Sequence, residues 1–97
     1  MVIWSDQAKT DLKAIHEFIA RDSVHYAKKV TYQLVEKTDA LMELPRLGRV
    51  VPELDDENVR ELPLYSYRII YEIKPDDIVV LTVIHKRRDL TPEEIDR

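Results

Sequence analysis

The hydrophobic period of this chain changes once, near residue 45. Before that point apolar residues recur every three or four positions; beyond residue 50 they alternate or run together. A period near 3.6 marks one face of a helix and a period of two marks one face of a strand, so amphipathic helices come first and a sheet second. Ala8, Leu12, Ile15 and Ile19 give the first helical face, from Asp6 to about Arg21, with Ser5 and Asp6 as N-cap candidates. Asp22-Ser23 breaks the pattern, and Ser23 can cap a second helix. Ala27, Val30, Leu34, Leu41 and Leu44 then form a second stripe, interrupted at Lys37 and ended by Pro45 and Gly48. So short a break predicts an antiparallel helical hairpin, and each helix needs an apolar surface beneath it.

The second half supplies that surface. Val50-Val51 is short, and Val59–Leu64 reads as a strand whose Pro63 marks an edge or an end. Tyr67, Ile69, Tyr71 and Ile73 alternate with Arg68, Ile70 and Glu72. Lys74-Pro75-Asp76-Asp77 is a turn, and the β-branched run Ile78–Ile84 suits a central strand. Val2-Ile3-Trp4 adds a short N-terminal strand, and Thr91-Pro92-Glu93-Glu94 has the form of a capping box opening a helical turn. The expected fold class is α+β: an N-terminal strand and a two-helix antiparallel hairpin packed on a mostly antiparallel sheet, residues 1–97 forming one domain. Leu12, Ile15, Ile19, Val30, Leu34 and Leu41 should lie between hairpin and sheet, against Ile69, Tyr71, Leu81 and Val83.

Several chemistries are excluded or disfavoured by residue type. Without cysteine there are neither disulfides nor thiolate metal sites, and a reducing compartment is expected. No leader and no apolar run of about 20 residues is present, so the expected location is cytoplasmic, with no membrane partner. His16, His25 and His85 lie in separate segments without ligand spacing, and Gly48 stands alone, so no metal, phosphate loop or cofactor is expected.

The informative charges are basic and late: Arg49, Arg60, Arg68 and the run His85-Lys86-Arg87-Arg88. Strand alternation turns Arg68 away from Tyr67, Ile69 and Tyr71. His85 ends the last strand near the start of Arg68's strand, so the two are expected to converge on one sheet edge. Arg49, Arg60 and Arg68 are candidate contacts for phosphate or an acidic partner. The plainer alternative for Arg68 is an ion pair with Glu72, Glu61 or Glu53. A net charge of −4 argues against non-specific nucleic-acid binding, although the 85–88 run leaves room for a local basic patch. Tyr26, Val35 and Met42 lie outside the main helical stripes and are candidates for partner contact.

These segments resemble, in order, the RelE/ParE superfamily of bacterial toxins, also known as plasmid-stabilisation or killer proteins. The resemblance is carried by Ala8-Lys9-Thr10-Asp11-Leu12 with Ile15, Phe18 and Ile19; Leu44-Pro45-Arg46-Leu47-Gly48-Arg49; Val51-Pro52-Glu53; Val59-Arg60-Glu61-Leu62; Tyr67-Arg68-Ile69-Ile70-Tyr71; and Val80-Leu81 through Val83-Ile84-His85 to Arg88. It implies a curved antiparallel sheet under the hairpin, inhibition of bacterial growth, and a cognate antitoxin that forms a hetero-oligomer with the chain. Tyr26, Val35 and Met42 are then the antitoxin-facing candidates.

The resemblance also frames the target. RelE-like members are ribosome-dependent mRNA endonucleases, whereas ParE-like members poison DNA gyrase. For an RNase the catalytic candidates are Glu53 as general base, with Arg68, His85 and Arg87. Arg87 and Arg88, however, stand where the enzyme subgroup has His and Tyr, and no Tyr follows Tyr71. The ParE-type expectation, a gyrase inhibitor rather than an enzyme, therefore stands first, with His85, Lys86, Arg87 and Arg88 as its toxicity surface. The alternatives are an mRNA endonuclease and a non-toxic relative acting only in a repressor complex with its antitoxin.

Overall fold

The computed structural model describes residues 1–95; residues 96 and 97, the end of the expected domain, lie outside the described residues. Strand β1 (Val2–Trp4) leads into helix α1 (Asp6–Ala20) and helix α2 (Val24–Lys37), and four further strands follow: β2 (Arg49–Val50), β3 (Val59–Leu64), β4 (Tyr67–Ile73) and β5 (Ile78–His85). The sheet order is β1-β5-β4-β3-β2. Among the described residues only the β1–β5 pairing is parallel. This is the α+β architecture that the two periods predict.

Both helix starts are capped as the sequence indicates. Ser5 Oγ accepts from Ala8 N at 3.0 Å and Ser23 Oγ accepts from Tyr26 N at 3.0 Å, each satisfying a first-turn donor. Ser5 Oγ also donates to Leu81 O at 2.8 Å, which ties the start of α1 to β5.

The second helix is shorter than its stripe predicts. α2 stops at Lys37, and residues Asp39–Met42 form a separate 3-10 turn. The buried Thr38 continues the stripe, and its hydroxyl donates to Val35 O at 2.7 Å. Such back-bonding competes with the helical ladder and helps end it. Leu41 stays buried, but Leu44 is exposed and leaves the core.

Ile15, Val30, Leu34, Leu41, Ile69, Tyr71 and Val83 share one core beneath the hairpin, with Leu12 and Ile19 half-buried beside it. Leu81 is a correction. The β4–β5 register shifts between Ile70 and Tyr71, whose partners are Thr82 and Val80, so Leu81 is an extra residue in β5. It packs into a second core, on the far side of the sheet, with Val51, Val59, Ile70, Ile84, Leu90 and Ile95. Asp11 of α1 seals the bulge: its carboxylate accepts from Thr82 Oγ1 and from Val83 N at 3.0 Å.

The second core is the main feature absent from the sequence expectation, which covered only one face of the sheet. The last segment helps to cover the other. Its Pro92–Glu94 turn forms as a 3-10 turn, yet Thr91 makes no side-chain cap. The capping box is replaced by a pair between Arg88 and Glu94 at 2.7 Å. Pro63 lies beyond the end of β2, where β3 has no neighbour on that side, so its missing N–H is tolerated there.

Candidate functional site

Arg68 lies on the sheet face opposite the helices, and four of its N–H···O contacts fix the guanidinium. Its two terminal nitrogens donate to the two oxygens of Glu53 at 2.8 Å each, a bidentate fork. Nε donates to Glu61, and one terminal nitrogen also donates to Arg88 O at 2.8 Å. Glu61 in turn accepts from Arg49 Nε at 2.6 Å. Glu53 accepts a further bond from Leu90 N at 2.9 Å. The plainer alternative for Arg68 is therefore the observed one, with Glu53 and Glu61 both as partners.

Local sequence explains how these groups meet. The two-residue turn Tyr65-Ser66 sets Leu64 opposite Tyr67, Pro63 opposite Arg68 and Glu61 opposite Ile70. Glu61 is then the diagonal neighbour of Arg68 on the same face, within reach of a long side chain. Glu53 arrives from the turn after β2, where Leu54 N and Asp55 N both donate to Val51 O. Gly48 is required by close approach: a Cβ there would lie 2.5 Å from Glu61 O and 2.8 Å from the Tyr71 ring. Tyr71 Oη accepts from Gly48 N at 2.9 Å and donates to Pro45 O at 2.6 Å, so this phenol moors the Pro45–Gly48 loop. Burial pushes its pKa up.

The site's electrostatics follow from these pairs. Hydrogen bonding from Arg68 holds the Glu53 pKa well below its ordinary 4.5, at about 2, against a smaller opposing effect of burial. Arg68 is pushed above its ordinary value, first by its hydrogen bond with Glu53. Beside this network runs an open groove of about 660 Å³ lined by Arg49, Glu53, Arg68, Lys86 and Asp89, among others. Its charges are mixed.

A titration prediction follows with a definite sign. Glu53 binds a proton less readily when folded than when unfolded, so its contribution to stability is complete above about pH 4.5 and is lost as pH falls toward about 2. Arg68 stays charged across that window, and Glu61, reached through Arg68, is the other carboxylate of the network. Glu53→Gln should flatten the acid limb of a stability–pH curve by up to one proton of slope. An unchanged acid limb in that variant would refute the assignment.

His85 is a correction. Tyr67 and His85 are directly paired and their rings meet edge to face at 6.3 Å, whereas Arg68 is one residue along β4 and faces the other way. Arg68 and His85 therefore do not converge. Arg60 bonds backbone carbonyls, Glu57 O at 2.9 Å and Gly48 O at 2.9 Å, while Arg49 keeps most of its side chain exposed. Of the candidate phosphate contacts, Arg49 and Arg68 thus share Glu61 as partner, whereas Arg60 is engaged by backbone carbonyls. His85, Lys86, Arg87 and Arg88 are all exposed, with Arg88 paired to Glu94. Tyr26, Val35 and Met42 are exposed as well. Sequence reasoning missed the hub role of Glu61 and the Leu90 contact; hairpin register was the available signal for the first.

A helical hairpin on a mostly antiparallel five-stranded sheet is the RelE/ParE-like fold. A solved structure titled "Chromosomal ParDE TA system from P. aeruginosa" matches it with a TM-score of 0.72 at 23% identity, covering 87% of this chain and 92% of that one. The family model described as "ParE toxin of type II toxin-antitoxin system, parDE" matches residues 2–90. The chain belongs to this ParE toxin family. No curated protein matches it. Among the described residues, no helix is long and apolar enough to cross a membrane.

Proposed function

We propose that this type II toxin acts on DNA gyrase, is neutralised by a cognate antitoxin that binds the exposed positions Tyr26, Val35 and Met42, and uses His85-Lys86-Arg87-Arg88 as its target-facing surface. The observation that carries the choice of gyrase over mRNA is the state of Glu53. RNA cleavage by 2′-OH attack needs a base, an acid and charge stabilisation near one scissile bond. A carboxylate with its pKa held at about 2 by a bidentate arginine is a weak base at neutral pH. Arg68 is already engaged by two carboxylates, and His85 belongs to the opposite face of the sheet. Of the RNase candidates, His85 therefore does not join Glu53 and Arg68, whereas a protein-binding surface at residues 85–88 needs no such convergence.

The test is a paired assay with purified protein: gyrase-mediated supercoiling on one side, translating ribosomes with a defined mRNA on the other. Loss of supercoiling, reversed by excess antitoxin, is the expected result. Codon-positioned mRNA cleavage with supercoiling intact would overturn it in favour of the endonuclease. Absence of growth arrest on induction without antitoxin would instead favour a non-toxic partner of the repressor complex.

A further inference from the structure

Residues 85–90 leave the end of β5, yet their backbone is fixed at three points by groups outside the segment. Lys86 N donates to Ser66 O in the β3–β4 turn at 2.7 Å. Arg88 O accepts from Arg68 at 2.8 Å, and Leu90 N donates to Glu53 at 2.9 Å. Beyond the last of these, Leu90 and Ile95 are buried in the second core, and the Arg88–Glu94 pair closes the turn between them. The side chains of Lys86 and Arg87 stay exposed between the fixed points. The Arg68 fork is itself held from its other edge by Glu61, whose side chain is 3% exposed. A guanidinium held by two carboxylates has little rotational freedom, so its remaining bond to Arg88 O has a fixed direction.

We propose that Glu53 and Arg68 are positioning residues: together they form a clasp that sets the conformation of the basic segment 85–88 through the backbone of Arg88 and Leu90, so that toxicity depends on side chains that do not touch the target. This rests on the reading of 85–88 as the target-facing surface. Glu53→Gln tests the clasp with little change in volume. An amide has one acceptor oxygen and one donor nitrogen, whereas Glu53 uses both oxygens as acceptors toward Arg68 and Leu90, so no orientation of glutamine replaces every bond.

The experiment compares wild type with Glu53→Gln, Arg87→Glu and, as a stability control, Asp11→Asn, which weakens the α1–β5 bulge without touching the clasp. Each protein is measured for melting temperature, antitoxin affinity, amide exchange and the inducer dose that arrests growth without antitoxin. Glu53→Gln should speed exchange at the amides of 88–95 by about tenfold or more, with β3–β5 amides unchanged. Its arrest dose should rise by about tenfold and its antitoxin affinity should stay within about twofold. Asp11→Asn should leave the arrest dose near wild type even where its melting temperature falls as far.

A loosened 88–95 segment with an unchanged arrest dose would overturn the clasp, and so would an equal loss of toxicity in Asp11→Asn at a matched melting temperature. If Glu53→Gln loses antitoxin binding because it does not fold, Arg68→Lys takes its place. Lysine keeps the charge but lacks the fork that reaches Arg88 O, and wild-type exchange and toxicity in that variant would also overturn the proposal. Arg87→Glu separates the clasp from the surface: if it loses toxicity and Glu53→Gln does not, the clasp fails and the surface stands. Because arrest is scored without reference to the target, a wild type that arrests growth but spares supercoiling removes only the gyrase reading, and the Glu53→Gln dose still decides the clasp.

Discussion

Replacing Arg68 with alanine should destabilise the protein by about 3–5 kcal/mol, the usual consequence of removing one partner from a buried ion network. Glu61 would keep a charge in a site that is almost fully buried, and Glu53 would lose both arms of its fork. Arg49 still reaches one oxygen of Glu61 from the solvent side, which favours the lower end of that range. In a domain of this size each kcal/mol moves the melting temperature by roughly 4–8 °C, so a fall well above 10 °C is expected by calorimetry. The network is not an irreplaceable source of stability, however. Replacing Arg68, Glu53 and Glu61 together by Met, Met and Leu removes the desolvation penalty along with the attraction, and should regain most of the loss. An Arg68→Ala protein that melts within a few degrees of wild type would show that the carboxylates do not depend on Arg68.

The other large effect is expected in the helical core. Leu34 is 0% exposed, between α2 and the sheet, in the cluster that contains Val30, Leu41, Ile69 and Tyr71. Leu34→Ala should cost about 2–5 kcal/mol, combining lost apolar burial with the cavity left among side chains that relax only partly. Its neighbour Val35 is 38% exposed, and Val35→Ala should change stability by less than about 1 kcal/mol. Denaturant titration of the pair checks both. A Leu34→Ala midpoint no lower than that of Val35→Ala would refute the assigned packing.

Much of this fold was legible because local rules and tertiary demands agree. Ser5 and Ser23 stand at both helix starts, and the period-two run 67–73 is β4 itself. The failures have physical causes. A bulge is invisible to alternation, which therefore places Leu81 on the wrong face of the sheet. Thr38 is a polar residue in an apolar stripe, and only its buried back-bond reveals where α2 ends. The site was harder. Glu53 and Arg68 could be named as candidates, but their mutual engagement depends on where a turn brings Glu53, and periodicity has no bearing on that. The same bulge separates Arg68 from His85: continued from Ile73 opposite Ile78 without it, the register would set Arg68 opposite Val83 and on His85's face, whereas its partner is Ile84.

The parallel β1–β5 pairing has a consequence in time. β1 joins the sheet only through β5, and the Ser5–Leu81 bond beside that junction closes a separation of 76 residues. During synthesis the two helices emerge long before the strand that seats them, and the far face of the sheet stays uncovered until Ile95 has cleared the ribosome. Long-range closure of this kind is slow, on the order of milliseconds to seconds rather than microseconds. A nascent chain therefore lacks the finished junction at β1, and with it the seated 85–90 segment, until synthesis has brought β5 back to β1.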